Sequence, residues 1–344
     1  MKKVVKHYIK RFINKINLSI IGLFMNSGFF SSMYYVLFSK AFRRENQAVL
    51  YGKHKYLKTT SHLSFNRYQL VRNIHRLEKG LIMKPRRPLF AKDYIKETVE
   101  NFIEAWPDAK NRDDHQIIWA HDILNLYFEL TTKEDELVDG LRKQFNSALT
   151  GDHHHTKVPY RRDTISVIPY DDLYKLSKQR RSVRWFLKKK VPRELIDKAI
   201  QVAMQSPSAC NRQPFEYRVI DDQEMLEELV TYPMGTKGYG HNIPVMIVVI
   251  GNLDAYFDER DRHLIYIDAS LANMAFMYAL ETLGLSSCPI NWPDIESRER
   301  KMEKFLKLGK HQRPVMCIGL GYPDPEEKVA FSEKKDLDSI RKYN

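Results

Sequence analysis

Gln179-Arg-Arg-Ser-Val-Arg-Trp185, followed about 25 residues later by Ser206-Pro-Ser-Ala-Cys-Asn-Arg-Gln-Pro214, is the part of the chain that decides its reading. The first stretch packs three guanidiniums and a hydroxyl into five residues. Guanidinium forks match phosphate oxygens, so the composition suits a phosphate, although basic clusters also coat ordinary surfaces. In the second stretch, small residues let a backbone approach a flat ligand closely. Asn211 and Gln213 bring amides that can read a ring edge. A plain helix-to-strand connector has a similar composition.

The flanking sequence sets both stretches in a mixed domain. A polar helix ends near Gln179. Pro192 starts another, striped by Leu195, Ile196, Ala199, Ile200 and Ala203, which stops at Ser206-Pro207. Phe215–Ile220 alternates like a strand. Val245–Ile250 and Val315–Leu320 are continuous apolar runs of the buried-strand type. Leu264–Leu283 is a long apolar helix stopped by Gly284. Helices and strands without regular βαβ alternation give an α+β class.

Taken in order, Arg-Arg-Ser-x-Arg, then Pro-Ser-Ala-x-Asn-x-Gln-Pro, then a strand, resembles the FMN-dependent nitroreductase family. Leu271–Leu285 followed by Ser286-Ser-Cys-Pro-Ile-Asn291 is similar to that family's central helix and the loop after it. Val315–Gly321 with Tyr322-Pro323 resembles its late strand and turn, and Ser332-Glu-Lys-Lys335 its C-terminal basic pair. The resemblance covers roughly residues 172–344. Residues 1–150 resemble, more weakly, N-terminal extensions on nitroreductase-like proteins of bacterial surface-polysaccharide gene clusters.

The resemblance implies a central mixed or antiparallel sheet flanked by helices, in a homodimer whose two active sites are shared between the chains. It implies FMN as cofactor, with Arg180, Arg181, Ser182 and Arg184 at the phosphate and ribityl chain. Pro207, Ser208, Asn211 and Gln213 would line the ring from the partner subunit. Pro289 and Ile290 would lie by the central flavin ring, and Lys334 and Lys335 would return to the phosphate. NADH or NADPH would reduce the flavin, which would then reduce an electron-poor nitroaromatic, quinone or enone in ping-pong turnover. With the flavin carrying the chemistry, no protein nucleophile is expected. No Rossmann fingerprint is present to choose between the two nicotinamides. Pro289 has no N–H, so a backbone donor to the flavin must be Ile290 or Asn291. Cys288 reads as a small buried filler before a redox thiol. The competing function is a non-catalytic flavin-binding or scaffold protein of a membrane-associated polysaccharide biosynthesis system.

Length and charge bound the rest. The 344 residues make roughly two domains, and 43% hydrophobic residues supply a sizeable core. Cys210, Cys288 and Cys317 are too few for a disulfide scaffold and lack zinc-ligand spacing, so a reducing, cytoplasmic setting is expected. Of the net charge of +13, residues 1–60 supply +11, with twelve Lys/Arg against Glu45. The excess is terminal and carries no recognition motif, so nucleic-acid binding is not expected. An uncharged run from Ile16 to Ser39 lies between basic flanks. Three readings stand: helices packed on the main domain or a partner, a segment on anionic lipid at the inner face of the membrane, or a span.

The middle of the chain reads as helices over Leu63–Leu81, Asp93–Trp106 and Asp113–Leu130. His75 and Glu78 share a helix face, either as an acid–base pair or, preferred, as part of a salt-bridged surface closed by a Gly80 cap. His115 and His121 are expected at the surface or in caps. His153-His154-His155 lacks the partners of a metal site, and no metal is expected. The organisation is therefore a basic, amphipathic helical segment over 1–60, a helical region over 61–150, a linker over 151–170 and an FMN-binding domain over 171–344.

Overall fold

The computed structural model describes residues 2–61, 65–112, 114–149, 156–162 and 166–344. Three helices come first: α1 (Lys2–Phe24), α2 (Gly28–Leu37) and α3 (Arg43–Ser61). A helical layer follows: α4 (Arg67–Leu81), α5 (Ile95–Arg112), α6 (His115–Leu130) and α7 (Glu136–Ala148). The C-terminal half runs α8 (Tyr170–Gln179), α9 (Arg193–Ala203), β1 (Phe215–Ile220), α10 (Gln223–Leu229) and β2 (Val245–Asn252). It continues with α11 (Leu264–Thr282), β3 (Ser286–Asn291), α12 (Glu296–Leu306), β4 (Gln312–Gly321) and the short α13 (Leu337–Ile340). The molecule is an α+β protein around one four-stranded sheet.

The sheet order is β1-β2-β4-β3, antiparallel at every ladder. β2 is buried along its whole length because both sheet faces are covered. Its side chains alternate between two cores, as strand geometry requires. Met246, Val248 and Ile250 pack with Val183, Phe186, Leu226, Cys288, Ile290 and Met302. Val245, Ile247 and Val249 pack with Ala199, Ala272 and Phe276 of α9 and α11. A third core, with Leu70, Ile74, Leu77, Phe102, Leu124 and Phe145, holds α4 to α7 together. Truncating a ring such as Phe102 there would cost about 3–5 kcal/mol in lost transfer energy and cavity.

α3 fastens the N-terminal half to the sheet. Arg44, 3% exposed, donates to the carbonyls of Lys310 at 2.9 Å and Gln312 at 3.2 Å. It also lies 3.5 Å from Glu299, which pairs with the equally buried Arg313. Burial alone would lower the Arg313 guanidinium, but hydrogen bonds to Glu299 and the surrounding carboxylates carry it above its ordinary value. Gly52 makes the docking close: a Cβ there would sit 2.6 Å from the Leu253 backbone.

Several elements differ from the sequence expectation. α4 starts at Arg67 because Asn66 caps it, accepting from Gln69 N at 3.0 Å. Gly80 is not its cap. It lies inside the last turn, where a Cβ would strike the Phe90 ring at 2.3 Å. α5 starts at Ile95 and runs through Pro107, since one missing backbone donor removes a rung without ending a helix. α6 starts at His115 with Asp114 as its cap. α7, unforeseen, carries Val138, Leu141 and Phe145 into the helical core. His121 is buried, stacked on Trp106 at 4.8 Å with Asp122 at 2.9 Å, so it is a core residue. The stretch after α11 is an edge strand rather than a loop, and an edge tolerates Pro289. His153 to His155 lie outside the described residues.

Candidate functional site

The Arg180–Arg184 segment leaves α8 in extended geometry, Arg180 having φ −58° and ψ 114°. It then runs along the outer edge of β3. Ser182 bridges Ser287 in parallel, and Val183 N donates to Ser287 O at 3.0 Å. Further on, Leu187 N donates to Tyr322 O at 2.9 Å. Val183 and Phe186 anchor the segment by pointing into the core. The polar side chains are left outward. Arg181 donates to the Arg180 carbonyl at 3.1 Å, and the Arg184 guanidinium lies 5.6 Å from the Tyr239 ring centre. Among the described residues none of these three arginines forms an ion pair with a carboxylate. The buried Arg180 Nε and Ser287 Oγ have no hydrogen-bond partner there either. Arg180 feels the buried Glu281 carboxylate, and a segment with three cations outside any ion pair and two orphaned polar atoms can receive an anion.

Pro289 and Ile290 stand on the same edge strand, two and three residues beyond Ser287. Successive residues of a strand aim their N–H and C=O to opposite edges. Ser287 faces the arginine segment, so Ile290 faces β4, and the outward N–H past Pro289 is that of Asn291. The loop between α10 and β2 closes the other side. Gly235 approaches Ile290, a Cβ there lying 3.6 Å from Ile290 Cγ2, and Tyr239 Oη lies 3.8 Å from Cys288 Sγ. Thr236, Lys237, His241 and Arg298 line a cleft of about 430 Å³ beside this loop. Burial pushes the Cys288 thiol above its ordinary value and the Tyr239 hydroxyl up to about 12, so both stay protonated at neutral pH.

The Ser206–Pro214 loop is held in strained backbone. Cys210, Asn211 and Gln213 have φ of 56°, 53° and 49°, unusual for residues with a Cβ. Five contacts stabilise that shape. Ala209 N donates to Asp268 Oδ2 at 3.0 Å, and Gln213 N to Ser208 Oγ at 3.1 Å. Gln213 Nε2 donates to Asn211 Oδ1 at 3.1 Å. Arg212, 4% exposed, lies under Tyr256 at 5.2 Å and 3.7 Å from Asp261. Helix α4 packs against the Ala209–Asn211 turn from the far side. Burial raises the Asp268 carboxyl above its ordinary value.

One chain does not bring these two clusters together. The loop is anchored at Asp268, near the start of α11. The arginine segment begins at Gln179, which donates to Glu281 at 3.1 Å near the end of α11. Thirteen residues at 1.5 Å each separate the anchors by about 20 Å along the axis. Lys334 and Lys335 stand exposed in the tail after β4. Sequence reasoning missed Asp268, Glu281 and Ser287 as supporting residues. The two carboxylates had a signal, being the acids of an otherwise uncharged apolar helix. His75 and Glu78 approach to 3.8 Å on the outer face of α4, where Glu78 also accepts from Trp119. A larger cleft of about 860 Å³, lined by Trp185, Lys188, Asp221, His241 and Asp324, contains none of the expected site residues.

A family model described as the nitroreductase family matches residues 177–322. A "Putative NADH dehydrogenase/NAD(P)H nitroreductase" of Methanothermobacter thermautotrophicus is 31% identical over 153 residues, 44% of this chain and 78% of the relative. An iodotyrosine deiodinase of Thermotoga neapolitana is 27% identical over 185 residues, 47% of this chain and 94% of the relative. Among solved structures, an FMN-dependent nitroreductase of Clostridium difficile superposes with TM-score 0.42 at 26% identity, covering 49% of this chain and 98% of that one. On the strength of the family model and the first of these relatives, the chain belongs to the nitroreductase family of oxidoreductases.

Proposed function

We propose that this chain is an FMN-dependent oxidoreductase that takes a hydride from NADH or NADPH and passes it to an electron-poor acceptor in alternating half-reactions. The observation that carries the reading is the arginine segment on the β3 edge, with unpaired guanidiniums and the orphaned Arg180 Nε. Those donors fit a flavin phosphate: Arg180, Arg181, Ser182 and Arg184 would hold it. Bound FMN would supply the two-electron chemistry, which the protein side chains lack. Pro289 would offer an apolar wall to the ring, with Ile290 backing the strand from the core, and the outward Asn291 N–H a backbone donor beside it.

The same geometry supports a homodimer with shared sites. The roughly 20 Å between the anchors favours a site in which Pro207, Ser208, Asn211 and Gln213 meet the arginine segment of a second copy. Exposed apolar side chains support that copy. Ile267 and Leu271 stand on the open face of α11, and Val329, Phe331, Leu337 and Ile340 on the tail after β4. Lys334 and Lys335 on that tail would then reach a phosphate across the dimer. The relatives named iodotyrosine deiodinases make iodotyrosine a further acceptor to try, alongside nitroaromatics, quinones and enones.

An absorbance spectrum tests the proposal. Purified protein should show flavin bands that bleach on anaerobic addition of NADH or NADPH and return with an acceptor. Protein that neither carries nor binds FMN overturns it. Flavin that binds but never bleaches reduces the chain to a flavin-binding scaffold.

A further inference from the structure

We infer that α1 and α2 form a membrane-surface anchor that lies on anionic lipid. α1 is about 35 Å long. Val5, Ile9, Phe12, Ile16, Ile20 and Leu23 recur along it at steps of three and four, which places them on one stripe. Lys6, Lys10, Arg11 and Lys15 fall outside that stripe. The stripe has nothing beneath it. Phe12 is 66% exposed and Leu23 74%, and no residue from Val5 to Arg43 is buried.

α2 continues the same surface. Phe24 at the end of α1 packs its ring 6.1 Å from Tyr34 and 5.6 Å from Phe38, folding α2 back against α1. Phe29, Met33 and Val36 are left facing outward at steps of four and three. So many exposed large apolar side chains on two consecutive helices exceed what a water-facing surface carries.

Charge chooses the occupant. Residues 1–43 hold eight Lys/Arg and no acid. An anionic lipid surface neutralises those cations while the apolar stripe enters the acyl boundary. A second copy of the hairpin would cover the stripe but bring two basic flanks together. A nucleic acid would meet the cations and leave the stripe in water. No described helix is long and apolar enough to cross the bilayer, so the hairpin lies along it. The chain turns at Ser39–Phe42, and buried Arg44 then ties α3 to the sheet domain. The anchor therefore holds the domain beside the lipid surface.

Vesicle flotation of the full-length protein tests this. Phosphatidylcholine vesicles containing phosphatidylglycerol should carry the protein about tenfold better than phosphatidylcholine alone, and added salt should reduce the difference. Phe12→Asp with Ile16→Asp should abolish flotation. Lys10→Glu with Arg11→Glu and Lys15→Glu should weaken it about tenfold. Near-ultraviolet circular dichroism should stay unchanged in both variants, because neither set touches the sheet domain. Equal flotation on both vesicle types overturns the inference, as does flotation unaffected by either variant. Self-association removed by the Phe12/Ile16 variant, with no vesicle binding, assigns the stripe to a second copy and overturns it too.

Discussion

Asp268 and Glu281 lie on the same helix, about 20 Å apart, and each positions one half of the candidate site. Asp268 fixes the strained Ser206–Pro214 loop through Ala209 N, and Glu281 receives Gln179 at the entrance to the arginine segment. This spacing sets the two halves apart within one chain and underlies the proposal that they meet between copies.

Replacing Arg180 and Arg184 together by Ala should weaken FMN binding at least about 100-fold, since each charge-assisted hydrogen bond contributes roughly 1.5–3 kcal/mol. Both side chains leave the sheet core untouched, so the far-ultraviolet spectrum should not change. Equilibrium dialysis against FMN measures the effect, and unchanged affinity would remove the phosphate assignment.

Asp268→Ala should release the loop. It leaves the Ala209 N–H without its acceptor, at about 1–3 kcal/mol, beside three residues held at positive φ. Hydrogen exchange should accelerate at Ala209–Gln213 before any global unfolding. Asp268→Asn keeps an acceptor and should restore protection. Equal exchange in the Ala and Asn variants would show that the anchor is not what fixes the loop.

Much of the fold is legible from periodicity, because the decisive elements are extreme in composition. β2 and β4 read as buried runs, and α11 as an uninterrupted apolar helix. Proline misleads in two places for one reason. The helix read over Asp93–Trp106 stops before Pro107 and the stretch holding Pro289 reads as a loop, yet one lost donor is tolerable where the helix is held by its core or the strand lies at an edge. His121 was misplaced because an imidazole between Trp106 and Asp122 becomes a core residue only after folding. The arginine segment reads from composition as a candidate anion site. Its distance from the loop is not legible there, since the 20 Å is set by the tertiary placement of both at the ends of α11.

Cys288 should behave as an unreactive thiol. It is 1% exposed, and burial raises its pKa. Native protein should react with a disulfide reagent at Cys288 only in denaturant, and Cys288→Ala should leave flavin reduction by nicotinamide intact. Rapid labelling of native Cys288 that is lost on flavin reduction would return it to a redox role.

Stability should depend on Asp114 in acid. Hydrogen bonding from Arg67 holds its carboxyl below the ordinary 3.8, assisted by the Ile117 and Gln116 N–H groups and opposed by partial burial. A native value below the unfolded one means the contribution is complete above that ordinary value and lost as pH falls through the native one. Asp114→Ala should therefore cost about 1 kcal/mol at pH 7, the usual loss for a helix cap. The gap to wild type should close toward pH 2 in urea melts followed by helix signal. A gap independent of pH would mean the carboxylate's charge plays no part.

Mixing two defective variants tests the central claim most directly. One carries Arg180→Ala with Arg184→Ala, the other Asn211→Ala with Gln213→Ala, and neither alone should retain FMN. Unfolded together and refolded as a mixture, they should regain about a quarter of wild-type flavin occupancy, because half the dimers are mixed and each has one intact site of two. Recovery near that level, with bleaching by NADH or NADPH, is the result the shared site predicts. No recovery from a mixture that forms mixed dimers, or flavin binding by a monomer, would contradict it.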